Sequence, residues 1–473
     1  MRQRPGDALA DSGSFEPRDL DLTSTDPLDY PGYRDVVAGG NESVLAGPAT
    51  IGGVKVELAD FDFTFIGGSL GEVAGERLAR ALERASERSV PFVLRTASGG
   101  ARMQEGMRAL VQMPRVLAAR ASLAAAHQPL VAVLGNPTTG GVLASLAASA
   151  DAVAAVSGAT IGFAGPRVVK HITGVPPKRS HTAATAFESG LVDAVIGEQE
   201  TRAWVQRVLE VLGPDDPTPV SEPSLARAAD TGPDAWSALR TVRSAGHLSA
   251  LDLLGGAADS LVVLSGDRSG TEDPGVLAAL ARFAGRRVLV LALDRARAPG
   301  PAAFRKACRA VAIAARLDLP VVTLIDTPGA DVSERSERGG IAWAVSETMN
   351  SLLSHPTPVV SVVTGEGGSG GALALAVGDV LLAFASTVFS VIAPDAAAEI
   401  LWRDPGRAPE AARLLHLTAD KLVARGIADA VIDGPVDSGA LVSAVAYHLD
   451  GSVRLTSDQR VRRRLERWRN RGP

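Results

Sequence analysis

Apolar residues fall in short runs along this chain, each closed by a glycine-bearing turn and followed by an amphipathic stretch. Val54-Lys-Val-Glu-Leu58 and Phe61-Asp-Phe-Thr-Phe65 alternate apolar and polar positions, which predicts half-buried strands. Gly67-Gly-Ser-Leu-Gly71 then opens Glu76–Ala85, where apolar residues recur at helical spacing. Val90-Pro-Phe-Val-Leu94 and Leu130-Val-Ala-Val-Leu134 are unbroken apolar runs, predicted as buried strands, with a helix through about Ala126 between them. Later, Ser260–Leu264, Arg287–Ala292 and Val359–Val363 rebuild the same order. Strands and helices alternating across short Gly/Pro turns indicate α/β layering. One longer apolar segment, Ala372–Ala393, has bilayer-spanning length, but Gly378-Asp379 divides it into a helix-like and a strand-like run. An aspartate in mid-span is costly in lipid, so buried core is expected there and no membrane span.

The order repeats because the text repeats. Pro91, Gly100, Ala101 and Pro129 recur as Pro320, Gly329, Ala330 and Pro358, since 320 − 91, 329 − 100, 330 − 101 and 358 − 129 all equal 229. The pair Gly140-Gly141 recurs as Gly370-Gly371 at 370 − 140 = 230, which reads as a one-residue insertion. Gly190-Leu-Val-Asp-Ala-Val-Ile196 is echoed by Gly426-Ile-Ala-Asp-Ala-Val-Ile432. Between the halves lies Gly213–Pro223, rich in Pro and Asp and without an apolar period, the composition of a linker. The expected organisation is an irregular lead-in over 1–35, a first domain over 36–212, a linker over 213–234 and a second domain over 235–473 that ends in a basic helix.

Composition narrows the class of protein. A chain of 473 residues, 46% apolar, can bury cores in more than one domain. A net charge of −5 recommends neither nucleic acid nor membrane as a partner. Cys308 is the only cysteine, which excludes an internal disulfide and a cysteine-based zinc site. None of the seven histidines stands at metal-binding helical spacing with another, so no metal is predicted. The start, Met1-Arg-Gln-Arg-Pro-Gly-Asp7, carries no apolar signal core, and a cytoplasmic location is expected. The tail holds Arg460, Arg462, Arg463, Arg464, Arg467, Arg469 and Arg471. It reads as a solvated terminal helix docked through Val461, Leu465 and Trp468 rather than as a polyanion-binding helix.

The candidate chemistry lies in the glycine turns. Strand-to-glycine turns present backbone N–H groups to an anion. Two such turns converging on one oxygen form an oxyanion hole, worth a few kcal/mol per donor. The candidate donors are Gly99, Gly100, Gly140 and Gly141 in the first half, and Gly329, Ala330, Gly370 and Gly371 in the second. Pro328 has no N–H to give. The competing reading is that the glycines serve turn geometry alone. Gly367-Gly-Ser-Gly-Gly371 also matches the nucleophile elbow of serine hydrolases, with His416 or His448 downstream. Against this, the repeat puts Thr139 in the place of Ser369, and what persists in both halves is the glycine pair. Gly365–Gly371 lacks the lysine of a phosphate loop.

These residues lead to a known family. Gly67-Gly-Ser-Leu-Gly71, Ser98-Gly-Gly-Ala-Arg-Met-Gln-Glu-Gly106, Thr139-Gly-Gly-Val142 and Ile161-Gly-Phe-Ala-Gly-Pro-Arg-Val168 resemble the β subunit of bacterial acetyl-CoA carboxylase carboxyltransferase. Ile325-Asp-Thr-Pro-Gly-Ala330, Gly365–Leu373 and Phe389-Ser-Val-Ile-Ala-Pro394 resemble its α subunit. The resemblance covers about residues 40 to 435, in β-then-α order. It implies two tandem crotonase-type (ClpP/crotonase) α/β domains, each a spiral of ββα units. It also implies carboxyl transfer from carboxybiotin, on a separate carrier protein, to acetyl-CoA, giving malonyl-CoA for fatty acid synthesis, with biotin itself taking the α-proton. The first-half glycines would then hold the thioester enolate, and the second-half donors the biotin ureido oxygen. Arg102 and Arg167, beside glycine turns, become candidate contacts for CoA phosphates, with a structural ion pair the competing reading for each. No lysine is flanked by methionines and no ATP loop is present, so biotin carboxylase and the biotin carrier would be partner proteins. The resemblance further implies sites shared between protomers, hence at least a homodimer. The rival readings are a carboxyltransferase for propionyl-CoA or longer acyl-CoA, a biotin-dependent or malonate decarboxylase, and a non-catalytic scaffold. Two departures stand out: the β subunit's four-cysteine zinc ribbon is missing, and Asp331-Val-Ser333 replaces a Tyr-Pro-Gly of the α subunit.

Overall fold

A computed structural model describes residues 5–177, 179–226, 233–452 and 455–470. The chain divides into two compact units: residues up to Leu212 together with Arg268–Gly270, and the remainder from Gly213 onward.

The first unit is built on a seven-stranded sheet: β1 (Val44–Ile51), β2 (Val54–Phe61), β3 (Phe92–Ser98), β4 (Leu130–Thr139), β5 (Ala152–Val156), β6 (Ile161–Gly162) and β7 (Ala194–Ile196). The strands lie in the order β1-β2-β3-β4-β5-β7, with β6 paired to β4. Only β1 and β2 are antiparallel; every later pairing is parallel, as helical crossovers require. Phe92, Val93, Leu94 and Leu130–Val133 are fully buried, which is why these strands read as unbroken apolar runs. Helices α1 (Glu72–Glu87) and α2 (Gln112–Ala125) pack together over the sheet, and α3 (Gly140–Ala144) and α4 (Pro166–Thr173) follow.

The second unit repeats this plan with β8 (Leu225–Ala226), β9 (Ser260–Val263), β10 (Val276–Phe283), β11 (Arg286–Leu293), β12 (Val321–Thr327), β13 (Val359–Gly368), β14 (Val380–Phe384), β15 (Val388–Ser390) and β16 (Ala430–Ile432). Its order is β8-β16-β14-β13-β12-β11-β10-β9, with β15 on β13. The helices used below are α5 (Ala250–Ala257), α6 (Pro301–Arg316), α7 (Ile341–Leu353), α8 (Ser369–Leu373), α9 (Ser438–Ser452) and α10 (Ser457–Arg469). Phe283, Phe384, Leu324, Val362 and Leu441 lie in one buried core cluster between α5, α9 and the sheet.

Element boundaries correct the reading of the repeat. The starts of α1 and α6, β3 and β12, α2 and α7, β4 and β13, and α3 and α8 differ by 301 − 72, 321 − 92, 341 − 112, 359 − 130 and 369 − 140, each 229. No residue is inserted before the glycine pair. Gly140-Gly141 fill the first two helical positions of α3, whereas Gly370-Gly371 fill the second and third of α8. Ser369 therefore corresponds to Gly140, and the two share a left-handed backbone, φ +55° and +61°.

Other expectations change locally. Phe61–Phe65 is not a second strand: Asp62 Oδ1 accepts the Thr64 N–H at 2.8 Å, and its carbonyl accepts the Phe65 N–H at 3.2 Å, folding the segment into a turn. β4 and β13 run past their apolar stretches to Thr139 and Gly368. Part of the expected linker is sheet, since β8 pairs with β16. Ala372–Ala393 contributes to α8, β14 and β15, and among the described residues no helix is long and apolar enough to cross a membrane.

The basic tail docks chiefly through its arginines; of the apolar face expected to dock, Val461 and Trp468 are half-buried and Leu465 is not. Leu465 is 48% exposed, while Arg460 and Arg464 are buried. Arg464 holds Asp379 through Nε and Nη2 at 2.9 and 2.7 Å and donates to the Leu352, His355 and Thr357 carbonyls. Arg467 pairs with Asp429 and, with Trp468 Nε1, donates to the Gly378 carbonyl. Asp379 and Asp429 are themselves tied into the sheet, accepting the Val359 and Leu381 N–H groups. A guanidinium suits this place because it can satisfy several carbonyls and a carboxylate at once.

Candidate active site

Each unit brings two turns together at the C-terminal ends of its central parallel strands, where ligands of open α/β sheets bind. In the first, the turn after β3 meets the start of α3. A Cβ placed on Gly140 would stand 2.9 Å from Gly100 Cα, and one on Gly100 3.2 Å from Gly140 Cα, so this approach admits only glycine at both positions. Gly100 has φ +114°, a conformation L side chains rarely adopt.

Hydrogen bonding decides which N–H groups remain. Gly99 donates to the Gly67 carbonyl at 2.8 Å, and Gly140 to the Phe163 carbonyl at 2.9 Å. Gly100 donates to Ser98 Oγ at 3.1 Å, and Gly329 to Thr327 Oγ1 at 3.3 Å. Four of the expected donors thus hold the turns in shape instead of facing outward. The N–H groups of Ala101, Gly141, Ala330, Gly370 and Gly371 enter none of these bonds. Ala101 carries an open N–H that the sequence reading did not include among the candidate donors. The repeat had pointed to it, because 330 − 101 = 229 makes it the counterpart of Ala330. In each unit a hydroxyl at the strand end, Ser98 or Thr327, takes the glycine N–H and leaves the following alanine N–H as the available donor.

Arg102 is no phosphate contact. It is fully buried, pairs with Glu42 and lies 3.3 Å from Glu105 Oε1. Its Nη1 donates to Glu42 Oε2 at 2.9 Å and to Tyr33 Oη at 3.2 Å, while Nη2 donates to Ser43 Oγ at 3.0 Å and to the Ser69 carbonyl at 2.8 Å. Burial alone would lower the pKa of the guanidinium, but hydrogen bonding and charge from the Glu42 carboxylate more than reverse this and raise it. Tyr33, buried and donating to Glu105, has its pKa pushed up to about 12. The whole network anchors the turn from beneath, because the Arg102 N–H bonds Leu70 O and the Leu70 N–H bonds Gly100 O. Arg167 fares differently. It is exposed in the first turn of α4, on the segment tied to the turn by the bond from Gly140 to Phe163.

The second unit departs at Asp326. This side chain is buried, its Oδ1 accepts the Glu366 N–H at 3.1 Å, and Oδ2 has no hydrogen-bond partner among the described residues. Burial pushes its pKa up to about 6, against the opposing pull of the Glu366 N–H and Arg295. Its counterpart is Ala97, by 326 − 229 = 97. Glu366 is held by Arg243 in a bidentate pair at 2.6 and 2.7 Å. The elbow reading of Ser369 finds no triad: neither His416 nor His448 is hydrogen-bonded to it among the described residues, though its backbone is left-handed. Among the described residues no group of three or more His, Cys, Asp or Glu could hold a metal ion.

Two α/β units, each with N–H groups left open at the sheet's C-terminal edge, have the crotonase-like fold. A solved structure of transcarboxylase 12S, described as a hexamer assembly with methylmalonyl-coenzyme A and methylmalonic acid bound, shares the fold at TM-score 0.78 and 23% identity, over 94% of this chain and 88% of that one. A family profile described as acetyl co-enzyme A carboxylase carboxyltransferase-like matches residues 231–472. A Salinispora tropica protein named acetyl-coenzyme A carboxylase carboxyl transferase subunits beta/alpha is 42% identical, over 98% of this chain and 89% of its own length. A Mycobacterium bovis protein named probable biotin-dependent acyl-coenzyme A carboxylase beta3 subunit is 34% identical, over 98% and 97%. The chain belongs to the acetyl-CoA carboxylase carboxyltransferase family of biotin-dependent enzymes.

Proposed function

We propose that this enzyme transfers the carboxyl group of carboxybiotin, borne by a separate carrier protein, to acetyl-CoA and so forms malonyl-CoA. The observation that carries this is the pair of N–H cradles set at one chain offset in a member of this family. Enolisation of a thioester places negative charge on its carbonyl oxygen, and the Ala101 and Gly141 N–H groups would receive that oxygen. Release of the carboxyl group from biotin places charge on the ureido oxygen, which Ala330 with Gly370 or Gly371 would receive. The second cradle suits a bulky carrier-borne ring: Gly370 is exposed, and nothing lies within 4 Å of a Cβ built on it. Preorganised donors need no reorientation as charge develops, which makes them worth more than the same contacts in water. Arg167 is the arginine left to meet CoA phosphates. The partners are the biotin carrier, biotin carboxylase and at least one further copy of this chain, and the setting is the cytoplasm.

The test runs the reaction backwards. The purified chain is mixed with malonyl-CoA and biocytin, and acetyl-CoA and carboxybiocytin are followed. Formation of both is expected; a folded chain that turns over no malonyl-type thioester would overturn the proposal.

A further inference from the structure

The two cradles differ in what covers the glycine donor. A Cβ built on Gly141 would meet Met113 Sδ at 3.0 Å and Met113 Cγ at 3.4 Å, so this side chain lies packed against the buried Gly141. Met113 is the second residue of α2. The second residue of α7, at 342 − 113 = 229, is Ala342, and the glycine at the matching helical position, Gly370, is exposed with open space around it. At this helical position one scaffold therefore sets its glycine against a long apolar side chain in the first unit and in the open in the second, where the next glycine, Gly371, is the buried one.

We propose that Met113 is the residue that sets the upper size of the acyl group accepted at the first cradle. The inference rests on the thioester occupying that cradle, as proposed above. An oxygen held by the Ala101 and Gly141 N–H groups has the acyl α-carbon two bonds away, so any substituent on that carbon competes with Met113 for the space beside Gly141. A hydrogen costs nothing there; a methyl group must displace the thioether. The site then selects acetyl-CoA over propionyl-CoA by steric limit, without any polar contact to the acyl chain. One methylene in an apolar pocket is worth about 10–200-fold in kcat/KM. Met113 is a packing residue in the unliganded chain and a specificity residue only through this contact, so shortening it should change selectivity more than the rate with the small substrate.

The experiment compares malonyl-CoA, methylmalonyl-CoA and ethylmalonyl-CoA as carboxyl donors to biocytin, using the full chain and its M113A and M113V variants. Each turnover breaks the bond from the carboxyl carbon to the α-carbon and forms one to the biotin nitrogen, whose proton ends on the α-carbon. The wild type should favour malonyl-CoA over methylmalonyl-CoA by about tenfold or more in kcat/KM, and M113A should erase most of that ratio with turnover of malonyl-CoA largely kept. M113V, which trims the side chain less, should fall between them and serves if M113A does not fold. A wild type that uses methylmalonyl-CoA as readily as malonyl-CoA, or a folded variant with the wild-type ratio, overturns the assignment of Met113 while leaving the carboxyltransferase proposal intact. Absence of turnover with all three thioesters in the wild type removes both.

Discussion

The two units share strand order, helix starts and the hydroxyl-held glycine turns, yet the surroundings of those turns have diverged in opposite directions. Beneath the first turn lies a fully buried ion network, Arg102 with Glu42 and Glu105, and above Gly141 lies Met113. At the place of Arg102 the second unit has Asp331, half-buried, accepting from the Ser333 and Ser336 hydroxyls. At the place of Ala97 it has the buried Asp326. The first cradle is thus closed and braced, the second open and charged from behind. Duplication preserved the device that presents N–H groups, and each copy was then fitted to a different ligand.

The largest effect should come from removing the brace. R102M leaves two carboxylates buried without their cation and should cost about 3–5 kcal/mol, read as a lower urea midpoint. D331A, its counterpart, removes a carboxylate that accepts from the Ser333 N–H and the Ser333 and Ser336 hydroxyls, and should cost about 1 kcal/mol. Equal losses would erase the contrast between the two turns.

Next come the donors. G141P removes one N–H from the first cradle and should lower kcat by about 10²–10³ in the malonyl-CoA and biocytin assay. G370P should do the same if both cradles act on oxygen anions. A normal rate in either folded variant reduces that glycine to a turn former.

Asp326 supplies a test by pH. Its folded pKa, about 6, lies above the ordinary 3.8, so the native state binds the proton more tightly than the unfolded chain. The stability it lends is present below pH 3.8 and lost as pH rises through about 6. Above that, the ionised carboxylate costs at most about 3 kcal/mol. D326N should flatten that part of the stability–pH curve and raise stability at pH 7, whereas the first unit has the apolar Ala97 in this place. An unchanged curve would show that the open oxygen is solvated.

The smallest effect separates Arg102 from Arg167, the two arginines set beside the first unit's glycine turns. R167Q should leave the urea midpoint within about 0.5 kcal/mol, since surface changes seldom cost more. It should raise KM for malonyl-CoA several-fold, an effect that fades with added salt if Arg167 meets CoA phosphates. A KM unchanged at low salt removes it from the binding surface.

The sequence by itself determined the α/β layering, the duplication, the family and the positions of all four turns, because buried parallel strands demand unbroken apolar runs and tight turns demand glycine. Those signals are local and survive in one dimension. What it misplaced depends on hydrogen bonds that residue types alone do not reveal, some to distant segments and some to a hydroxyl two residues back in the same turn. Gly99, Gly100, Gly140 and Gly329 read as donors, but the acceptors that consume their N–H groups are Gly67, Ser98, Phe163 and Thr327. The apparent insertion before Gly370-Gly371 came from matching residue types; the backbone keeps one offset and lets Ser369 take the left-handed position of Gly140. Arg102 looked like an anion contact because a guanidinium beside a glycine turn suits one, and only burial against Glu42 and Glu105 made it structural. The same holds for the tail: helical spacing put Leu465 on the docking face, and the carboxylates and open carbonyls at the base of the second sheet drew Arg464 and Arg467 there instead. Apolar burial is written along the chain, residue by residue. Which polar group is satisfied, and by whom, is settled only when the folded chain brings donors and acceptors together.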